Sequence, residues 1–187
     1  MSEPFKSDIE NIRRRAREKM MDGAVTGAYK ADRARVIEVL NEVVATELVC
    51  YLRYKHHYFM ATGMHGQAVA SEFLEHANDE LQHADTVAER ITQLGGRPNL
   101  DPNGLHTRSH AQYVEGRTLE EMIREDLVAE RIAIETYNEI VRWLGEDDVT
   151  SRRIIEDILG VEEEHADDMK NLLERISKEE RRGKNGG

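Results

Sequence analysis

Cysteine occurs once, at Cys50, so no intramolecular disulfide can form and nothing points to an oxidising compartment. Proline occurs three times in 187 residues, so little interrupts helical structure. Aromatic residues make up only 5%, which leaves aliphatic side chains and methionine to fill most of a core. No apolar run approaches the ~18 residues of a membrane-spanning helix. The N-terminus, MSEPFKSDIENIRRRAREKMM, lacks the apolar stretch of a secretory signal, and the expectation is a cytoplasmic protein with no membrane partner. Positive charge is also in deficit. With 37 acidic against 26 basic residues, the net charge is -11, which argues against a general nucleic-acid-binding surface. Such an excess of acid attracts cations, although it is also an ordinary means of solubility.

What the chain does have is helical periodicity. Charged residues reach 34%, and apolar residues recur at steps of three and four almost throughout, as in an all-α domain of one core. The organisation reads as an N-terminal extension over 1–30, a four-helix bundle over 31–178 and a charged, Gly-rich, disordered tail over 179–187. Within the extension, Ile9 to Met21 predicts a short basic helix, broken by Gly23 and Gly27. The first bundle helix is expected from Asp32, as N-cap, to about Thr62, ending at Gly63. The second runs from Gly66 to Leu94, before Gly95-Gly96. A connection of about 20 residues follows, too long for a hairpin turn and suited to a crossover along a bundle. The third helix starts at the capping box Thr118-Leu-Glu-Glu121 and ends near Gly145; the fourth spans Val149 to about Ser177. The fold class predicted is an antiparallel four-helix bundle, two short-turn hairpins joined by a long crossover.

Each helix carries one glutamate in the middle third of its core-facing stripe: Glu47, Glu80, Glu130 and Glu162. Buried carboxylates without partners are expensive, so four at one level require cations or shared protons. Two of them open Glu-x-x-His motifs, Glu80-Leu-Gln-His83 and Glu162-Glu-Glu-His165. In a helix these pairs face the same way, about 4.5 Å apart along the axis. The lone glutamates sit at matched distances from them, 80 − 47 = 33 and 162 − 130 = 32 residues. Folding the hairpins together therefore gathers four carboxylates and two imidazoles around one centre. Oxygen-rich ligands with two nitrogens suit iron, and also manganese, better than structural zinc. One Glu from each of two helices, with Glu-x-x-His from each of the other two, is the ligand pattern of di-iron carboxylate bundles.

On these residues the sequence resembles the ferritin superfamily, bacterioferritins most closely. The carrying segments are NEVVATELVCYLRY, EHANDELQHADTVAERITQLGGRPNL, EMIREDLVAERIAIETYNEI and IIEDILGVEEEHADDMKNLLERI, covering roughly Arg33 to Ile176. The resemblance implies a ferroxidase that oxidises Fe(II) with O2 or H2O2 and feeds iron storage, with two iron ions per subunit. It also implies that Glu47 and His83 serve one iron, Glu130 and His165 the other, and that Glu80 and Glu162 bridge. Tyr54 matches a tyrosine beside the family's iron site that is implicated in electron transfer. Three departures qualify it. The methionine that binds haem in bacterioferritins is Leu81 here, which speaks against haem. No fifth helix is expected after the fourth, so a Dps-like shell of twelve subunits fits better than one of twenty-four. The single cysteine leaves out the cysteine pair that often accompanies such sites in Dps-like proteins.

Other residues are weaker candidates. His56, His57, His65, His76, His106 and His110 are candidates for transient iron sites, though exposed or capping roles are the commoner ones. Glu75 and Asp79 flank the second-helix ligand and are candidates for an iron relay; Glu163 and Glu164 rotate off the shared face. Tyr51 and Tyr58 share the stripe of Tyr54. Cys50 follows Glu47 by three residues and reads as a small buried hydrophobe. The basic run Arg13–Lys19 keeps DNA open as a partner, through several arms acting together on a shell. The rival functions are a rubrerythrin-like or catalase-like di-iron or di-manganese enzyme, with Glu75 the nearest candidate for its extra ligand, and a DNA-protecting scaffold.

Overall fold

The computed structural model describes residues 6–62 and 66–185. Its elements are α1 (Ile9–Arg15), a single 3-10 turn (Met20–Asp22), α2 (Arg33–Met60), α3 (Gly66–Gln93), α4 (Leu105–Arg108), α5 (Leu119–Leu144) and α6 (Val149–Asn185). Among the described residues there is no strand, and no helix is long and apolar enough to cross a membrane. The expected end of the first bundle helix at Gly63, and the candidate His65, lie outside the described residues.

Local chemistry sets the helix ends. Asp32 Oδ1 accepts from the backbone N–H groups of Ala34 and Arg35 and starts α2. At the end of α3, Gly95 takes φ 77°; its N–H reaches Thr92 O while Gly96 N–H reaches Ile91 O. This pair of bonds is a Schellman motif, and the left-handed residue favours glycine. Thr118 Oγ1 accepts from Glu121 N–H, and the Glu121 carboxylate reaches back to Arg117 N–H rather than to Thr118 itself.

Three boundaries differ from expectation. α1 stops at Arg15 instead of Met21, where Arg14 is held by Glu18 at 2.7 Å and Asn11 at 2.8 Å. The crossover contains the short turn α4, which Arg108 closes with bonds to the carbonyls of Asp101 and Asn103. α6 continues to Asn185, past Ser177, because Lys, Glu and Arg propagate a helix well and Lys178 pairs with Glu174 at 3.2 Å.

α2 pairs along α3 and α5 along α6, and the two hairpins close face to face. Their apolar residues form two main clusters. One holds Val36, Leu40, Val43, Val87, Ile91, Tyr137 and Ile155; the other holds Tyr54, Phe73, Ile123, Met169 and Leu172. The polar residues of interest lie between these two layers, where water is excluded from above and below.

Two buried ion-pair networks lock the hairpins. Arg53 Nε lies 2.7 Å from Asp126 Oδ1 and His57 Nδ1 lies 2.8 Å from Asp126 Oδ2, with both Arg53 and Asp126 at most 1% exposed. Arg53 also donates to Gln112 O at 3.0 Å, which ties the crossover to α2 and α5. At the other end Arg90 binds Asp148 at 3.0 Å and Ser151 at 2.9 Å, and Tyr29 donates to Asp148 at 3.0 Å. Partners at this burial are needed by each other: removing one leaves a charge stranded in low dielectric.

Candidate metal centre

Glu47 is 1% exposed, Glu80 1%, Glu130 0% and Glu162 1%, a burial that carboxylates almost never reach alone. α2, α3, α5 and α6 each deliver one of them between the two apolar layers. His83 and His165 join them one helical turn further on.

The six side chains fall into two overlapping groups. In one, Glu47, Glu80, His83 and Glu162 each offer a donor atom, and these atoms all lie within 4.8 Å of one another. In the other, Glu80, Glu130, Glu162 and His165 do the same. Glu80 and Glu162 belong to both. His83 Nδ1 stands 3.3 Å from Glu47 Oε2 and 3.1 Å from Glu162 Oε1; His165 Nδ1 stands 3.6 Å from Glu80 and 3.5 Å from Glu162. Both imidazoles therefore turn the same nitrogen inward.

Glu80 Oε1, Glu130 Oε2, both oxygens of Glu162 and His165 Nδ1 are buried without a hydrogen-bond partner. Orphans at this density are unusual for a native core, and here they converge on one volume. A pair of divalent cations would satisfy all of them, so the donor set fits such a pair, with oxygen in the majority as iron and manganese prefer.

The charges agree with this. Burial, followed by the nearby Glu162 and Glu47, pushes the Glu80 carboxyl well above the usual carboxylate range. Burial and Glu162 do the same to Glu130. Burial opposes ionisation of Glu162 too, but His165, His83 and Glu130 outweigh it and hold it down at about 2. Burial lowers His83, yet Glu162 and Glu47 carry it up to about 10. The cluster is thus a carboxylate excess whose mutual repulsion and burial favour the protonated forms of Glu80 and Glu130.

Around the donors sits a second layer of contacts. The Tyr54 hydroxyl donates to Glu130, and the Tyr137 hydroxyl donates to Glu47. Each tyrosine lies seven residues after the glutamate of its own helix (54 − 47 and 137 − 130) and binds the glutamate of the opposite one. Tyr137 was not among the residues that the sequence singles out, though its spacing repeats that of Tyr54. His165 Nε2 faces Asp79 Oδ2 at 3.4 Å, the kind of outer carboxylate that fixes an imidazole's tautomer and leaves Nδ1 for a metal.

The remaining candidates separate. His76 is 2% exposed and adjoins the centre: its Nδ1 is 3.3 Å from the Tyr54 hydroxyl, and its ring stacks on His165 with centroids 3.9 Å apart. Burial, then His165, lowers its pKa to about 3. His57 serves Asp126, and His110 lies 3.0 Å from the Thr46 hydroxyl. His106, Glu75, Glu163 and Glu164 are exposed. Tyr51 and Tyr58 are half-buried packing for the lower cluster. Cys50 is buried against Ala111 and Ala129, and burial raises its thiol pKa, so it is an inert hydrophobe.

Comparison with known proteins follows the same lines. A family profile for the ferritin-like domain matches residues 37–179. The bacterioferritin of Desulfovibrio desulfuricans is 30% identical over 153 residues, 81% of this chain and 82% of its own. That of Streptomyces coelicolor is 31% identical over 146 residues, 76% of this chain and 82% of its own. Among solved structures, a dodecameric thioferritin, the bacterioferritin-related protein of Bacteroides fragilis, superposes with a TM-score of 0.77 at 30% identity, covering 81% of this chain and 92% of that one. Dps from Thermosynechococcus elongatus shares the fold, with a TM-score of 0.72 at 22% identity over 75% of this chain and 90% of its own. The chain belongs to the ferritin-like family.

Proposed function

We propose that the chain is a ferroxidase serving iron storage and detoxification, with Fe(II) as substrate and O2 or H2O2 as oxidant. The observation that carries the reading is the pair of overlapping four-donor groups that share Glu80 and Glu162. Glu47 and His83 would hold one Fe(II), Glu130 and His165 the other, and Glu80 and Glu162, common to both groups, would serve both. Two Fe(II) together yield two electrons. O2 with two protons becomes H2O2, or H2O2 with two protons becomes two waters.

The chain's own residues do the rest. The apolar layers above and below keep bulk water out. Asp79 holds His165 with Nδ1 inward. Tyr54 and Tyr137 fix the rotamers of the two terminal glutamates, and each hydroxyl is a nearby source of one electron and one proton. Glu80 and Glu130, which burial and acidic neighbours hold toward the protonated form, would give up protons beside the oxidant as Fe(II) binds.

The thioferritin of Bacteroides fragilis, at 30% identity, supports assembly into a hollow shell of twelve subunits rather than twenty-four. The rubrerythrin-like alternative needs an extra glutamate ligand, and exposed Glu75 gives it no support. DNA binding through Arg13–Lys19 has no observation in its favour, and Arg14 is already paired with Glu18.

The test is stopped-flow oxidation of Fe(II) by Glu80→Ala and Glu162→Ala in assembled protein, followed by iron retained after desalting. Loss of the fast phase in both is expected, and wild type should hold tens of irons per chain against the about two of one di-metal site. Wild-type oxidation rates in both variants would refute the assignment.

A further inference from the structure

Outside the six donors, one more cluster combines a buried imidazole with carboxylates. His76 lies one turn before Glu80 on α3 and turns its two nitrogens in different directions. Nδ1 faces the Tyr54 hydroxyl at 3.3 Å. Nε2 faces outward, between Asp168 Oδ2 at 3.7 Å and Glu72 Oε1 at 4.0 Å. The His76 side chain is 3% exposed, while those of Glu72 and Asp168 are 35% and 48% exposed, so the cluster leads from solvent to a buried nitrogen.

The distances suit an ion better than direct contact. At 3.7 and 4.0 Å neither carboxylate is within hydrogen-bond reach of Nε2, so this nitrogen of a 3% exposed side chain points into the cluster without a direct hydrogen bond. Two donors on one transition metal, each about 2.0–2.2 Å from it, lie roughly 3–4 Å from one another across ordinary bond angles. The donor atoms of Glu72, His76 and Asp168 all fall within 4.8 Å of one another, the same closeness as in the two groups of the main centre.

We propose that Glu72, His76 and Asp168 form a third divalent-cation site that captures Fe(II) and passes it to the His165 side of the di-iron centre. The site rests on the ferroxidase reading only for the identity of its cargo. Its connection inward is geometric. The His76 ring stacks on that of His165 at 3.9 Å and 17°, and His76, Glu130 and His165 also offer donor atoms within 4.8 Å of one another. One imidazole thus borders both positions. Cation binding at Nε2 leaves Nδ1 with the Tyr54 hydroxyl, so the outer site can fill without disturbing the inner ligands. Mixed oxygen and nitrogen donors, partly exposed, give the moderate affinity that a waypoint needs, since an ion held too tightly would not move on.

The experiment is anaerobic titration of assembled, metal-free protein with Co(II), read by d–d absorption and equilibrium dialysis. Four proteins are compared: wild type, the double variant Glu72→Gln/Asp168→Asn, His76→Leu and Glu80→Ala. The half-exposed carboxamides preserve shape and keep the test valid if His76→Leu fails to fold. Wild type should bind three Co(II) per chain and the double variant two. Glu80→Ala should lose the inner pair and keep the outer ion. In Fe(II) oxidation the double variant should show a several-fold higher KM with unchanged kcat. Two ions in wild type, both lost in Glu80→Ala, would overturn the third site while leaving the di-iron centre intact. Three in the double variant would also overturn it. An outer ion retained in Glu80→Ala, with no inner pair in wild type, would sink the ferroxidase reading and spare this one.

Discussion

Filling the carboxylate–histidine cluster with two divalent cations should expel protons, and the charges of the site say which groups give them up. Glu80 and Glu130 have carboxyl groups raised well above the ordinary range by burial and by their acidic neighbours. His83 is raised to about 10. Glu80 and Glu130 thus lean toward the protonated form and His83 toward the imidazolium in metal-free protein, and such a proton must leave before its group becomes a ligand. Metal binding should therefore release protons. Each proton released makes binding about 1.4 kcal/mol, or roughly tenfold, stronger per pH unit, so the overall two-ion constant should rise with pH. Calorimetry with Zn(II) in buffers of different ionisation enthalpy reads the count directly, without redox chemistry. The same linkage sets the sign for folding. Glu80, Glu130 and His83 have folded pKa values above their unfolded ones, so their contribution is complete below the unfolded values and fades as pH rises through the folded ones. Metal-free protein should thus melt at a lower temperature at pH 8 than at pH 5, and metal-loaded protein should reverse the trend. A release close to zero, with affinity flat in pH, would mean that the buried carboxylates are ionised without metal and that the electrostatic account is wrong.

Other perturbations have equally definite outcomes. Asp126→Leu strands the buried Arg53 and should cost about 3–5 kcal/mol in urea unfolding, whereas Arg53→Met/Asp126→Leu together should cost clearly less. Tyr137→Phe removes the hydrogen bond to Glu47 and should destabilise metal-free protein by about 1.5–3 kcal/mol while slowing, not abolishing, Fe(II) oxidation. Gly116 has φ 64°, and a Cβ there would meet Met122 N at 2.9 Å, so Gly116→Ala should cost about 2 kcal/mol in thermal unfolding.

Much of the bundle, and the gathering of six polar side chains in its core, could be read from spacing. A glutamate on an apolar stripe is conspicuous because burial makes it costly, and two Glu-x-x-His motifs at matched offsets from lone glutamates leave few other arrangements. The supporting polar residues were hidden for the opposite reason. Arg53, His57 and Asp126 look like ordinary helix-surface residues, and only the packing of α2, α5 and the crossover buries them together. Asp126 does lie one turn before Glu130 on the same face, but a single acidic residue in so charged a chain carries little signal. The shared nitrogen geometry of His76 is likewise a product of tertiary packing, since its outer partners come from both α3 and α6. Helix ends were legible where capping chemistry fixed them, as at Asp32 and Gly95. They are not legible where charged residues simply extend a helix, as beyond Ser177.

The crossed tyrosines have one more consequence. Tyr54 reaches from the first hairpin to the glutamate of the second, and Tyr137 makes the reciprocal reach. Each proposed iron position likewise draws donors from both hairpins. Neither half of the chain holds a complete set, yet each half brings the same inventory: one glutamate, one tyrosine seven residues on, and one Glu-x-x-His. That is the composition expected of two copies of a single helix pair facing each other across a twofold axis. The long crossover then does more than join two like halves, since Arg53 holds Gln112 O and Thr46 holds His110 N–H within it, both to the first hairpin.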